Sequence, residues 1–264
     1  NTAALSTQPG ARLGISPDRY MIDLQEGGST PQALMIKNLS DEPLTVKLSV
    51  SNWDLDESNR LRIRPPQENS LDQWIVINPL RVVIPPGMPQ TIRWAVMPRQ
   101  RPAAGEHRAI IFSEEETEPP KRSDTTSVQR AIRLGIPVYA QFGDEQERVD
   151  DIGISPSPDG TQIIAEAHNQ GNRHVRLQGR FGVWSADAFP GPDRAMDILR
   201  DPALSRKMTS DYEIGEIGET VLLPATRREI KLLPDQVLTP GQIVQFDAHI
   251  GPTEIVRTVK VAGS

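Results

Sequence analysis

The sequence predicts an all-β protein built from two tandem β-sandwiches, and three observations support that reading. First, the order of short motifs repeats. Met35-Ile36-Lys37-Asn38, a polar turn and Val46-Lys47-Leu48 precede Ile84-Pro85-Pro86-Gly87 and Thr91-Ile92-Arg93-Trp94. Glu166-Ala167-His168-Asn169, a polar turn and Val175-Arg176-Leu177 precede Val237-Leu238-Thr239-Pro240-Gly241 and Val244-Gln245-Phe246. One insertion around Ser185–Gly215 absorbs the longer spacing of the second half. Second, 264 residues suit two domains of about 100–150 residues, each long enough to bury a core. Third, 24 prolines and 19 glycines are scattered along the chain, as turns between short strands require.

The elements follow in order. Leu13–Leu24 is an opening strand, bent where Pro17 interrupts it. Gly27-Gly28 turns the chain into Gln32–Asn38. Leu44, Val46, Leu48 and Val50 alternate with Thr45, Lys47 and Ser49, which places one apolar face of a strand against a core. Asn59–Arg64, Gln73–Asn78, Arg81–Ile84, Gln90–Met97 and His107–Ser113 complete the first set. Glu114–Ser127 is polar and is expected to be an exposed, mobile loop. The cleanest alternation is in Arg130–Phe142, where Ile132, Leu134, Ile136 and Val138 share one face. Pro137 cannot donate a ladder hydrogen bond and suits an edge or a bulge. The charged stretch Gly143–Asp151 divides a first domain, 13–143, from a second, 149–264. The second reads as strands at Asp151–Ser155, Gln162–His168, His174–Trp184, Glu219–Leu223, Arg228–Leu232, Ile243–Ile250 and Glu254–Val261. One segment is helical, Asp193–Leu199, where Ala195, Ile198 and Leu199 fall on one face. It resumes at Ala203–Lys207, beyond Pro202, and lies inside the insertion.

Composition narrows the function. A net charge of −6 argues against a nucleic-acid role, because phosphate binding needs a basic face. No apolar run approaches the length of a membrane span. The absence of cysteine removes disulfides, cysteine-ligated metals and thiol nucleophiles. The chain opens on Asn1, which fits either a removed signal peptide or a trimmed terminus, and its first ten residues read as a flexible lead. Asp54–Ser58 resembles the start of a calcium loop, but Asn59 and Pro65 stand where that loop needs glycine and glutamate, so a solvated turn is expected. His168 and His174 would face each other across a hairpin, with no third ligand nearby. Glu114, Glu115 and Glu116 read as a charged loop with nothing to bury them. Trp53, Trp74 and Trp94 are core residues or a sugar-stacking platform. No catalytic site, metal or cofactor is expected, because no nucleophile elbow or phosphate loop is present.

Arg133 stands on the polar face of an otherwise apolar strand. It is either an ordinary exposed strand arginine or a fixed cation that takes a carboxylate in a two-pronged fork.

The first half resembles the periplasmic pilus and fimbrial assembly chaperones. The resemblance lies in Ile15-Ser16-Pro17-Asp18-Arg19-Tyr20-Met21-Ile22, in Leu34–Asn38 followed by Pro43–Val46, and in Arg81–Gly87. Gly105–Ala109 with Ile111-Phe112 resembles a strand start found in divergent branches, and Ala131–Val138 resembles the last strand of domain one. It covers roughly Gly14–Gln141, with the second domain similar only in layout. It implies two immunoglobulin-like domains meeting in an L, a periplasmic location and no enzymatic activity. It also implies donor-strand complementation, in which the last strand of domain one completes a pilus subunit lacking its own. Backbone hydrogen bonds then supply affinity, and alternating side chains fill the client's groove. An outer-membrane usher is the second implied partner, and the edge strand gives a route to self-association.

The resemblance makes Arg133 one of two cleft cations for the client's terminal carboxylate. The first-strand cation is missing, since Met21 occupies its place and Arg19 lies two positions earlier. The donor positions are Asp124, Thr126 and Val128, of which only Val128 is a good apolar plug, while the alternation starts at Ile132 and Leu134. The family's longer signature before its proline-rich loop is also absent. The expected partner-binding residues are therefore Arg133, Arg19, Val128, Ile132 and Leu134. A structural or adhesive surface protein and a carbohydrate-binding module are the alternatives.

Overall fold

The computed structural model describes residues 12–116, 132–201, 203 and 212–262. The chain forms two compact units, Asn1–Asp54 with Leu61–Asp144, and Leu55–Arg60 with Glu145–Ser264. Both are all-β sandwiches, and a single helix is present among the described residues apart from one short 3-10 turn.

In the first unit, β1 (Leu13–Ser16), β3 (Gln32–Asn38), β8 (Pro89–Val96) and β6 (Ile75–Asn78) form one sheet in the order β1-β3-β8-β6. The other sheet runs β2 (Tyr20–Leu24), β10 (Arg133–Phe142), β9 (Gly105–Glu115), β4 (Leu44–Leu55) and β5 (Leu61–Arg64), with β7 (Arg81–Ile84) paired to β4. The predicted opening strand is thus two strands. β1 pairs with β3 in one sheet, and beyond Pro17 the chain enters β2 in the other. Proline has no N–H for a continuous ladder, so the pairing breaks where the sequence places it. Leu44, Val46 and Leu48 point into the core as their alternation requires, with Ile136, Val138 and Ala140 of β10 packed among them.

The second unit has a sheet of β11 (Val149–Pro156), β12 (Ile163–Asn169) and β15 (Thr226–Leu232), in that order. Facing it are β14 (Tyr212–Leu222), β13 (Val175–Trp184), β16 (Ile243–Ile250) and β17 (Thr253–Lys260). The helix, α1 (Pro192–Arg200), follows β13 as expected, and it buries Ala195 and Leu199 against Trp184 with Ile198 alongside. Its expected continuation, Ala203–Lys207, lies outside the described residues save for Ala203.

The repeat is real at one level and out of register at another. Asn38 and Asn169 are both fully buried and do the same work. Asn38 Nδ2 donates to Glu42 O at 2.6 Å and to Ile84 O at 2.9 Å, while its Oδ1 accepts from the Ser40 N–H at 2.9 Å. Asn169 Nδ2 donates to Arg173 O at 2.8 Å and Leu222 O at 3.1 Å, and Oδ1 accepts from the Gly171 N–H at 2.9 Å. The distant partners are 46 and 53 residues away. The counterpart of Ile84-Pro85-Pro86-Gly87 is therefore Leu222-Leu223-Pro224-Ala225, not the Pro240-Gly241 turn that the sequence motifs matched. Gly87 (φ 70°) and Ala225 (φ 54°) share the left-handed conformation. Alanine at the position of Gly87 takes the second copy out of the Pro-Gly pattern.

These asparagine turns also carry the chain between sheets. β3 and β4 lie in different sheets, as do β12 and β13. His168 and His174 are accordingly not partners across a hairpin, which overturns that expectation. The buried amide satisfies the backbone groups that a chain crossing between sheets would otherwise leave without hydrogen bonds.

Candidate functional site

The site is built on β10. Its ladder with β9 runs without interruption from Arg133–Glu114 to Phe142–Gly105. Its other side is covered for only half its length, because parallel β2 pairs from Val138–Tyr20 to Phe142–Leu24. Tyr20 fixes that starting point. Its hydroxyl donates to Ala33 O at 2.7 Å, and its ring meets Trp94 edge-on at 4.7 Å. Burial pushes its phenol pKa up. Upstream the chain has turned away to β1. Among the described residues, no strand pairs with Arg133–Pro137 on the β2 side, which leaves this stretch an open edge among them.

Side chains alternate along this edge. Ile136 and Val138 are fully buried in the unit's own core, and Leu134 packs against it half-buried, as Ile132 is half-buried before it. Arg133, Gly135 and Pro137 take the opposite face. The Arg133 guanidinium lies over the Phe112 ring, 3.6 Å from its centroid, with Nε 3.8 Å from Glu114 Oε2. A guanidinium over an aromatic face is held electrostatically and keeps its edges free for oxygen acceptors. Gly135 makes this possible. A Cβ there would stand 2.7 Å from Ile110 Cδ1 and 3.0 Å from Phe112 Cε1, so the glycine leaves room for the ring. Sequence reasoning missed Phe112, whose position opposite Gly135 appears only once the strands are paired.

The exposed charged loop expected from Glu114 begins only at Glu116. Glu114 and Glu115 belong to β9, and Glu115 is only 4% exposed. Each takes a different cation: Glu115 Oε1 meets Arg12 at 3.0 Å, and Glu116 Oε2 meets Arg81 at 2.6 Å. The ladder extends further than the apolar pattern because paired charges satisfy its end.

Arg19 precedes β2 and contacts Asp18 at 3.2 Å. It is level with Pro137 and four residues along from Arg133, about 13 Å at strand rise. Met21 pairs with Tyr139 and is 49% exposed. Tyr139 is itself opposite Arg108 on β9, so Met21, Tyr139 and Arg108 form one row across three strands. Arg108 contacts Glu106 at 3.2 Å, and its buried Nε has no hydrogen-bond partner. Arg108 thus places a cation in the same row as Met21. Val128, Asp124 and Thr126 lie outside the described residues.

Other expected features resolve simply. All four tryptophans are buried, so none offers a sugar-stacking face, and the platform reading fails. Asp54 and Leu55 end β4, and Asp56–Ser58 opens the turn into β5. Asp54 binds Arg62 at 2.8 Å through both oxygens, and this bond holds its carboxyl below the usual range. Asp56 accepts the backbone N–H groups of Ser58 and Arg60. The described residues hold no cluster of three or more histidine or acidic side chains fit for a metal, and no helix long and apolar enough to cross a membrane.

No protein-family model matches the sequence, and no curated protein matches it at a significant level. Solved structures do. The chain is similar to one in the CsuC–CsuE chaperone–tip adhesion subunit pre-assembly complex of the archaic chaperone-usher Csu pili of Acinetobacter baumannii. That match has a TM-score of 0.50 and 13% identity, covering 94% of this chain and 98% of the other. It is also similar to the YadV chaperone, with a TM-score of 0.51 and 13% identity over 95% of this chain and all of the other. The fold is that of the two-domain, immunoglobulin-like pilus-assembly chaperones.

Proposed function

We propose that this protein is a periplasmic chaperone that holds pilus or fimbrial subunits by donating an edge strand and later passes them to an outer-membrane usher. The single observation behind this is the half-covered strand β10. Among the described residues its Arg133–Pro137 edge is unpaired on the β2 side while the same residues stay registered on β9, so an extended client strand has backbone groups to pair with. Ile132 and Leu134, half-buried at that edge, are the donor side chains, with Val128 as a further plug before them. Ile136 and Val138 belong to the protein's own core. Arg133 anchors the client's terminal carboxylate, and Arg19 is the alternative anchor. On this reading the protein binds and releases its client without catalysing a reaction.

Coexpression with small secreted pilin-like proteins encoded beside its gene tests this. The wild-type protein should protect such a subunit from degradation and co-purify with it. A charge-assisted hydrogen bond contributes about 1.5–3 kcal/mol, so Arg133→Ala should weaken capture by about tenfold to a hundredfold with the fold unchanged. Arg133→Lys should recover only part, since the planar fork is lost. Capture by the alanine variant at wild-type strength would move the anchor to Arg19, and failure to stabilise any such subunit would sink the chaperone reading.

A further inference from the structure

The geometry points to Glu114 as an internal carboxylate that occupies Arg133 until a client's terminal carboxylate displaces it, with Lys47 receiving Glu114 when it leaves. This rests on the reading of Arg133 as the client's anchor. Of three consecutive glutamates, Glu114 is the most loosely held. Its contact with Arg133 is 3.8 Å, against 3.0 Å for Arg12–Glu115 and 2.6 Å for Arg81–Glu116. Both partners of the loose pair are nearly half exposed, at 46% and 45%, so a ligand reaches them from solvent.

The register supplies the second position. Glu114 is on β9, directly opposite Arg133 of β10 on one side and Lys47 of β4 on the other. Directly opposed side chains in a sheet have Cβ atoms about 4.5–5.5 Å apart, so a glutamate passes from one cation to the other by side-chain rotation alone. Meanwhile Phe112 keeps the guanidinium plane in place. An arriving carboxylate forms a two-pronged fork on that plane, which a carboxamide does not. Glu114 therefore sets a threshold at the anchor: a terminal carboxylate must displace it to reach the guanidinium, whereas a carboxamide leaves it in place.

The test uses the full chain and a synthetic peptide of the captured subunit's carboxyl-terminal strand, made as the free acid and as the terminal amide. An exposed ion pair contributes about 0.2–1 kcal/mol, so Glu114→Gln should tighten acid binding by about 1.5- to fivefold. Amide binding should not change. Lys47→Gln should weaken acid binding, because displaced Glu114 then has no second cation. If Arg133→Ala weakens acid binding but Glu114→Gln does not tighten it, the competition is refuted and the anchor stands. If the wild-type protein binds acid and amide equally, or Arg133→Ala leaves acid binding unchanged, the anchor fails and the competition with it.

Discussion

Replacing Asn38 by alanine tests the claim that a buried amide joins the two sheets of the first unit. The side chain is fully buried and makes bonds of 2.6 and 2.9 Å to the carbonyls of Glu42 and Ile84, and of 2.9 Å from the Ser40 N–H. Glu42 is exposed and Ser40 half-exposed, so water replaces part of what those groups lose. Ile84 is fully buried, and its carbonyl pays the larger share. A buried group left unsatisfied costs about 1–3 kcal/mol, and each lost ordinary bond about 1 kcal/mol, so the sum is about 2–4 kcal/mol. For a unit of this size that lowers Tm by roughly 8–15 °C. Calorimetry measures the shift, and hydrogen exchange locates it. Protection should fall in β3, β4 and β7, with β12 and β13 unaffected. Asn38→Asp should be worse than Asn38→Ala, since it sets a carboxylate oxygen against two carbonyl oxygens. Asn169→Ala should reproduce the loss in the second unit through Leu222. A cost under about 0.5 kcal/mol for Asn38→Ala, or loosened exchange spread over both units, would refute the shared role.

Three further outcomes are expected. Ala225→Gly should stabilise the protein by about 0.5–1 kcal/mol in a thermal melt, since a left-handed alanine is strained where the matching turn uses Gly87. Gly135→Ala should cost about 1 kcal/mol or less, because the atoms it meets are side-chain ends, yet it should shift the Arg133 Nε–H resonance by displacing Phe112. Asp54 has a folded pKa depressed chiefly by its hydrogen bond to Arg62. Its contribution is therefore present above the unfolded carboxylate value of about 3.9 and lost as pH falls through the folded value. Acid titration followed by exchange in the β4–β5 hairpin should show this loss, and Arg62→Gln should remove most of the pH dependence, with Arg64 at 3.5 Å keeping the rest.

Much of the fold was legible in the sequence. Alternation of period two placed Leu44, Val46 and Leu48, and Ile136 with Val138, on buried faces, and a spacing of three and four placed Ala195 and Leu199 on one side of a helix. Pro17 marked the break in the opening strand. These are local properties: the side chain's own polarity, the repeat of its element and the missing N–H of proline decide them. What only the tertiary structure decided was which strands meet. The backbone ladder uses the same N–H and C=O groups at every residue, so alternation fixes a face and says nothing of a neighbour. Hence Leu222–Ala225, not Pro240-Gly241, is the second unit's counterpart of Ile84–Gly87, as the Asn169 bond to Leu222 across 53 residues shows. Glu115 proved buried because Arg12 meets it from the start of the chain, and Arg133 found its ring and its carboxylate on β9, which only strand pairing sets beside it.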